Sequence, residues 1–429
     1  MPPRRHRIVI VGGGFGGLSA AKALAKADVE VVLIDRRNHH LFQPLLYQVA
    51  TAALSPSEVA WPIRHLLRYQ DNVRVLMGTV SGVDTIARQV LLEDGGQEPY
   101  DSLVLATGAQ HAYFGHDEWE KFAPGLKTVE DATAIRRKLL LALEAAEREG
   151  DEVRRKALLT FAIIGGGPTG VEMAGAIIEL GRASIRGQFN TLAPEDLRVV
   201  LIEGGNRVLP NFDEELSDYT LKALRRMGVE VELGKMVSQI DAESVVFGDR
   251  RLETHTVIWA AGVAASPVAK WLGIEGDKAG RVKVNADLSV PGLDDVYVIG
   301  DAASLKQVDG KPVPGVAPAA KQAGRHVARV IEQKIAGLPT QAFSYKHAGD
   351  LATIGKSSAV IDFGFTKVRG WLAWWLWGIA HIYFLVETRT RIFITLSWLW
   401  IYLTGQRSAR LITHGDAPSR TPLDEVDEN

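Results

Sequence analysis

The chain has 429 residues, 46% hydrophobic and 23% charged, with a formal net charge of −2. Those proportions belong to an ordinary globular protein of a few domains, and the charge balance gives no electrostatic reason to expect a nucleic-acid partner. There is no cysteine, which excludes disulfides, thiolate metal sites and any reaction that runs through a redox-active thiol.

The N-terminus, MPPRRHR (1–7), is basic and joins directly to IVIVGGGFGGLSAAKAL (8–24). That apolar run is too short for a secretion signal and reads as a first strand, so a cytoplasmic location is expected. Strand, G-x-G-x-x-G and helical pattern follow in that order. Gly12 allows a tight turn, Gly14 lets backbone approach a pyrophosphate, and Gly17 lets helix pack on strand, with the helix N-terminus facing the phosphates. A second strand, VVLID (31–35), ends in Asp35, where a carboxylate accepts hydrogen bonds from a ribose 2′-OH. Phe15 and Arg36, beside the turn and the acid, are counted with this site. LVLATG (103–108) reads as a third strand closing on the small residues Ala106, Thr107 and Gly108.

After a helix predicted over TVEDATAIRRKLLLALEAAERE (128–149), the pattern repeats. FAIIGGGPTGVEMAGAI (161–177) carries Gly165, Gly167 and Gly170; VVLIE (199–203) ends in Glu203 after an extra stretch at 181–196; VIWAAG (257–262) closes on Gly262. The offset between copies is 153 residues at the fingerprints and 154 at the third-strand turns. Two dinucleotide sites imply two dinucleotides, and a flavin with a nicotinamide is the natural pair because hydride passes between them. Further on, GLDDVYVIGDAAS (292–304) places Gly300 and Asp301 at a strand C-terminus. That is the ligand-binding edge of an α/β sheet, though Asp301 also reads as a plain N-cap. The fold expected is α/β: two Rossmann-like dinucleotide-binding domains of glutathione-reductase-like arrangement, plus a C-terminal amphipathic membrane-docking segment.

With these motifs in place, the chain resembles the two-dinucleotide-binding-domain flavoproteins, and residues 7–405 resemble type II NADH:quinone oxidoreductases. The closer likeness rests on FQPLLYQVATAALSPSEVAWPIR (42–64), GVAPAAKQAG (315–324), YKHAGDLATIG (345–355) and a tryptophan-rich tail. The resemblance implies FAD at the first fingerprint, NADH at the second and the flavin ribityl chain at Gly300-Asp301. It also implies that Gln43, Pro44 and Leu45 line the flavin ring and that Glu172 sits near nicotinamide and flavin. Glu172 also fits as a first-turn carboxylate favoured by the helix dipole. Where the family shows A-Q-x-A-x-Q beside the quinone, this chain reads APAAKQ (317–322). Ala317 and Pro318 open a helix there, Pro318 replaces the first glutamine, and Gln322 remains as a candidate quinone contact, counted with Glu172 as catalytic. Glu203 suits the 2′-OH of NADH and repels the 2′-phosphate of NADPH; Arg207, four residues on, either softens that preference or is a solvated charge.

The expected domains are 1–122 with 284–345 for FAD, 123–283 for NADH, 346–414 for membrane and quinone, and a disordered tail at 415–429. Six tryptophans crowd into residues 371–400, and WLAWWLWGIAHIYFLV (371–386) is uncharged. Sixteen helical residues reach about 24 Å, short of a hydrocarbon core of about 30 Å. The next apolar run, IFITLSWLWIYLTG (392–405), is shorter. A helix pair lying in one leaflet over residues 371–405 follows, with Arg389, Arg391, Arg407 and Arg410 meeting anionic headgroups. The alternative is a face packed on the body or on a partner subunit. Lys367 and Arg369 read as headgroup or quinone-mouth charges, or as solvated ones, and His381 reads as a packing residue. His39 and His40 point apart with no third ligand, so no metal is expected. The overall expectation is a peripheral enzyme on the cytoplasmic face of the cell membrane, with NADH and a membrane quinone as partners and a possible homodimer. A soluble NADH:ferredoxin-type reductase and a non-catalytic redox-sensing protein on this fold are the alternatives.

Overall fold

The computed structural model describes residues 4–307, 310–385, 387–404, 407 and 409–412; the tail expected to be disordered lies outside them. Two parallel sheets repeat one plan. In the first, β1 (His6–Val11) lies between β2 (Val29–Asp35) and β4 (Ser102–Leu105), with β3 (Val73–Met77) outside β2. In the second, β5 (Thr160–Ile164) lies between β6 (Arg198–Glu203) and β8 (Thr256–Trp259), with β7 (Val229–Leu233) outside β6. The central strands are near-continuous runs of buried Val, Ile and Leu because both faces of a parallel sheet are covered. The first sheet gains a fifth strand, β9 (Val296–Val298), which returns from beyond the second sheet to pair with β4.

The repeat runs deeper than its motifs. Between third and fourth strands each copy inserts a three-stranded antiparallel meander, Val80–Pro99 in the first and Val237–Glu253 in the second. After the fourth strands, Ala109–His111 pairs antiparallel with Val263–Ala265, so equivalent segments of the two copies clasp each other.

Helix α1 (Phe15–Ala23) follows the first glycine turn, α2 (Val129–Arg148) links the copies, and α3 (Pro168–Ile185) follows the second turn. Thr128 and Asp131 form a capping box that starts α2. Helix α4 (Ala317–Ile335) has Pro318 in its first turn, where a missing N–H costs nothing, and lies across α1. The crossing is close enough that a Cβ on Gly324 would run into the Gly16 carbonyl and reach 3.0 Å from the Ala20 nitrogen.

A C-terminal sheet of β10 (Asp350–Thr353), β11 (Ala359–Asp362) and β12 (Lys367–Gly370) leads into α5 (Trp371–Phe384) and α6 (Thr388–Thr404). At 1.5 Å per residue these helices are about 21 and 26 Å long, and among the described residues no helix is long and apolar enough to cross a membrane. Each buries a narrow seam, Ala373 and Trp377 on α5 and Thr390 and Ile394 on α6. Trp371, Trp375, Ile379, Leu396, Trp400 and Leu403 stay exposed. The buried seams are fastened to segment 42–65: the Trp61 indole N–H donates to Thr390 Oγ1 (3.0 Å), the Trp398 indole to Gln48 Oε1 (2.7 Å), and His65 meets Glu387 at 2.5 Å.

The basic residues of this region depart from expectation. Arg391 folds back onto the carbonyls of Leu385 and Tyr383 at 2.9–3.1 Å, closing the C-terminus of α5. Arg407 is buried, donating to the Thr51 carbonyl (2.8 Å) and lying 3.4 Å from Glu179. Arg410 donates to Gln188 Oε1 (2.8 Å) and Ser184 Oγ (3.3 Å). Lys367 and Arg369 pair with Asp213 (2.6 Å) and Glu215 (2.8 Å). Only Arg389, over the Phe393 ring, remains of the four arginines expected at headgroups. Helix C-termini leave carbonyls unpaired, and Arg391 and Arg407 satisfy those of Leu385 and Thr51, the residues that end α5 and the short helix Leu46–Ala50.

Replacing Gly324 with Val tests the α1–α4 crossing. Overpacking of this kind costs about 1–3 kcal/mol, so urea unfolding should move to clearly lower midpoints, with Gly324→Ala in between.

Candidate functional site

At both turns the backbone does the same thing. The Gly12 N–H donates to the Ile34 carbonyl (2.7 Å) and the Gly165 N–H to the Ile202 carbonyl (2.8 Å). Asp35 accepts from the amides of Gly13 (2.6 Å) and Arg37 (2.8 Å). Glu203 accepts from Gly166 and from Gly205 (2.6 Å). Gly12 and Gly165 have φ of +105° and +109°, and a Cβ on Gly165 would lie 2.5 Å from the Ala260 carbonyl. Gly17 and Gly170 press onto the carbonyls of Gly12 and Gly165, while Gly14 and Gly167 face open space. The free side of each turn is thus a bare backbone edge at a helix N-terminus, the shape and polarity that receive a pyrophosphate.

Around the first turn lies a long cleft lined by Gly12, Gly14, Phe15, Asp35, Arg36, Gln43, Ala106, Thr107, Gly108, Gly300 and Asp301. These candidates converge from five separate segments of the chain. Gly300, at φ +69°, turns β9 into a 3-10 turn that presents Asp301 to the cleft. Lys127, missed in the sequence, lines it too; burial lowers its pKa while Asp301 and Asp131 raise it. The residues present fit a flavin dinucleotide: a glycine edge for pyrophosphate, a carboxylate for ribose, and a turn carrying an acid at the far end.

The cleft continues past Gln43, Lys127, Asp301 and Ala320, which it shares with a second cavity. Pro44, Ala317, Pro318 and Glu172 line this cavity, as do Ala380, His381 and Phe384 of α5. Burial pushes the Glu172 carboxyl up to about 8, opposed only by the Thr353 N–H at 3.5 Å. His381 Nδ1 donates to the Trp377 carbonyl (2.8 Å) and the ring stacks on that of Trp377, while burial lowers its pKa to about 4. Packing is therefore what the structure gives it.

Gln322 is not at this cavity. Its amide donates to the Lys346 carbonyl (2.9 Å) and accepts from the Lys346 N–H (3.0 Å), tying α4 to the following loop. Lys321 takes the place expected of it, with its ammonium over the rings of Phe15 (5.0 Å) and Phe384 (5.3 Å). One helical step turns the side chain by about 100°, and the APAAKQ pattern does not say which of two neighbours faces inward.

Beneath Glu172 a third cavity runs between Tyr47, Gln48 and the indoles of Trp374, Trp377 and Trp398, ending at Glu179 and Arg407. Thr353, Tyr47, Gln48 and Trp398 form a hydrogen-bonded chain across it, at 3.2, 2.9 and 2.7 Å. No sequence motif announced it, since its members come from three distant segments. At the second turn, Gly165, Gly167, Gly170 and Glu203 stand together, and Gly262 lies against the Phe114 ring. Arg207 donates to the Pro210 carbonyl (2.6 Å). Among the described residues there is no cluster able to hold a metal.

Tandem dinucleotide folds, clasped through equivalent segments and sharing an inter-fold cavity, define a two-dinucleotide-binding-domain oxidoreductase. Residues 6–324 match the pyridine nucleotide-disulphide oxidoreductase family model, and 347–407 match the NDH2 C-terminal domain. The type II NADH:quinone oxidoreductase Ndh of Mycobacterium tuberculosis is 43% identical, over 100% of this chain and 94% of that protein. The internal alternative NAD(P)H-ubiquinone oxidoreductase A1 of Arabidopsis thaliana is 29% identical over 95% of this chain and 86% of its own. NDH2 of Plasmodium falciparum, solved with NADH, superposes with a TM-score of 0.88 at 21% identity, over 96% of this chain and all of that one. The chain belongs to the type II NADH:quinone oxidoreductase family.

Replacing Glu203 with Gln removes the carboxylate expected to disfavour a 2′-phosphate. The ratio of kcat/KM for NADH over NADPH should fall by about tenfold, the effect of one carboxylate–phosphate repulsion of roughly 1.4 kcal/mol; steady-state rates with both nucleotides check it.

Proposed function

We propose that this chain oxidises NADH and reduces a membrane quinone through FAD, without pumping protons. FAD lies in the first cleft, NADH against the second glycine turn, and the quinone head enters the shared cavity from the side of α5 and α6. The observation that carries the reading is that cavity: Gln43 and Pro44 from the flavin side, Glu172 from the nucleotide helix α3, and α5 of the apolar pair all line it. The flavin unit is assigned to 1–122 with 284–345, the NADH unit to 123–283, and membrane and quinone contacts to 346–414.

When bound, FAD accepts the hydride of NADH and hands the electron pair to the quinone. The chain supplies placement and electrostatics. Asp35 and Glu203, fixed by glycine amides, hold the two riboses. Glu172, with its pKa near 8, is a neutral hydrogen-bond donor at pH 7, so no negative charge opposes hydride arriving in the cavity. Ala380, His381 and Phe384 of α5 wall the cavity on its membrane side. With no cysteine, thiol relay is closed to this chain although it shares the fold of enzymes that use one.

The exposed faces of α5 and α6 lie in one leaflet, on the side of the membrane that meets the intracellular NADH pool. Removing the whole region would also strip Trp377 and Ile394 from the core, so surface charges are the cleaner test. Trp375→Glu with Leu396→Glu should abolish cosedimentation with lipid vesicles, since each charge opposes insertion by about 2.5–3.5 kcal/mol at most. The flavin spectrum and its bleaching by NADH should persist. Continued cosedimentation would refute the docking face.

A further inference from the structure

Quinone reduction needs two electrons and two protons. Hydride from NADH carries the electron pair and one proton, so NADH + H⁺ + quinone gives NAD⁺ + quinol, and one proton must enter from the medium. We propose that the Lys321 ammonium is the general acid that delivers this proton to the quinone oxygen.

The placement is built rather than incidental. The glycine crossing of α1 and α4 at Gly16 and Gly324 sets Lys321, one turn before Gly324, beside the flavin-side loop. Its ammonium lies 5.0 Å from the Phe15 ring, which lines the flavin cleft, and 5.3 Å from the Phe384 ring on α5. It therefore stands where the flavin side meets the side through which a lipid-soluble quinone arrives. Among the described residues no carboxylate lies within ion-pair distance of it, so no fixed anion holds its proton.

Its neighbours work toward release. Burial, helped by the like charges of Arg325 on α4 and Lys22 on α1, lowers the Lys321 pKa to about 8. His40, whose own pKa is lowered to about 4 by burial, adds no charge at neutral pH, and His381, across the cavity, is neutral too. Of the carboxyls lining the cavity, Glu172 is protonated at pH 7, while Asp301 faces Lys127 and Asp350 lies near His347. In the step, the N–H bond of Lys321 breaks as the quinone O–H forms. The free amine then takes a proton from water reaching it past the exposed Lys22 and Arg325. Glu172 is less suited: its carboxyl lies deeper, beside Tyr47 and the Thr353 N–H, where the cavity beneath it runs under the tryptophans rather than toward α1 and α4.

The inference rests on the proposed quinone activity, and its test separates the two. Purified holoenzyme is assayed with NADH and a short-chain quinone, as wild type, Lys321→Arg, Lys321→Met and Glu172→Gln. Flavin content and anaerobic bleaching by NADH report folding. Quinone binding is read separately, by quenching of tryptophan fluorescence. A donor must be protonated, so wild-type kcat should fall as pH rises through about 8, and Glu172→Gln should keep that limb. Arginine keeps the charge but not the acidity. Lys321→Arg should bind quinone within about twofold of wild type yet lose kcat by about a hundredfold, the order contributed by a general acid, and lose the limb. Lys321→Met should lose kcat similarly. Wild-type kcat and an unchanged limb in both Lys321 variants would overturn the proposal, as would weaker quinone binding with kcat intact. Should wild type bleach with NADH yet fail to reduce quinone, the parent reading falls instead.

Discussion

Backbone meeting backbone without a Cβ between is the constraint on which this structure depends. At Gly17 and Gly170 it seats a helix on its strand; at Gly16 and Gly324 it lets two helices touch. The first pair leaves a bare turn open to phosphate in each copy. The second sets the angle of α4, and hence which residues of its first turns face the flavin side and which face the docking helices. A side chain at any of these points would move a wall of the site, so the glycines govern function through packing rather than flexibility.

The docking helices extend that logic to the membrane. Their seams are held by indole hydrogen bonds to Gln48 and Thr390 and by the His65–Glu387 contact. Their outer faces have no partner among the described residues. Segment 42–65 therefore serves twice, as a wall of the flavin side through Gln43 and Pro44 and as the platform for α5 and α6. One segment touching both is why a single cavity is bounded by flavin-side residues and by the docking helices.

Much of this was legible in the sequence, because period and spacing survive in one dimension. The two glycine turns, their strand-end acids, and the sub-length apolar helices all sit where residue type and order place them. What was not legible depends on direction. Lys321 and Gln322 are adjacent, yet one faces the cavity and the other ties down residue 346. The arginines near the apolar helices looked like headgroup contacts, but Arg391 and Arg407 are consumed by carbonyls and a carboxylate inside the protein. The chain from Thr353 through Tyr47 and Gln48 to Trp398 joins residues up to 350 positions apart, beyond the reach of any local pattern. The paired meanders escaped notice because their sequences share little beyond the V-S-x-x-D that opens each, at 80–84 and 237–241, and the alternation that any two-faced strand shows.

Electron delivery from NADH to a quinone dissolved in lipid is the central claim, and rapid mixing tests it most directly. Holoenzyme bound to vesicles carrying a long-chain quinone is bleached with NADH, and the flavin absorbance is then followed. The account predicts reoxidation that accelerates with quinone content in the bilayer and leaves quinol as product. Bleached flavin that ignores lipid-borne quinone, yet recovers with a soluble one-electron acceptor, would contradict it.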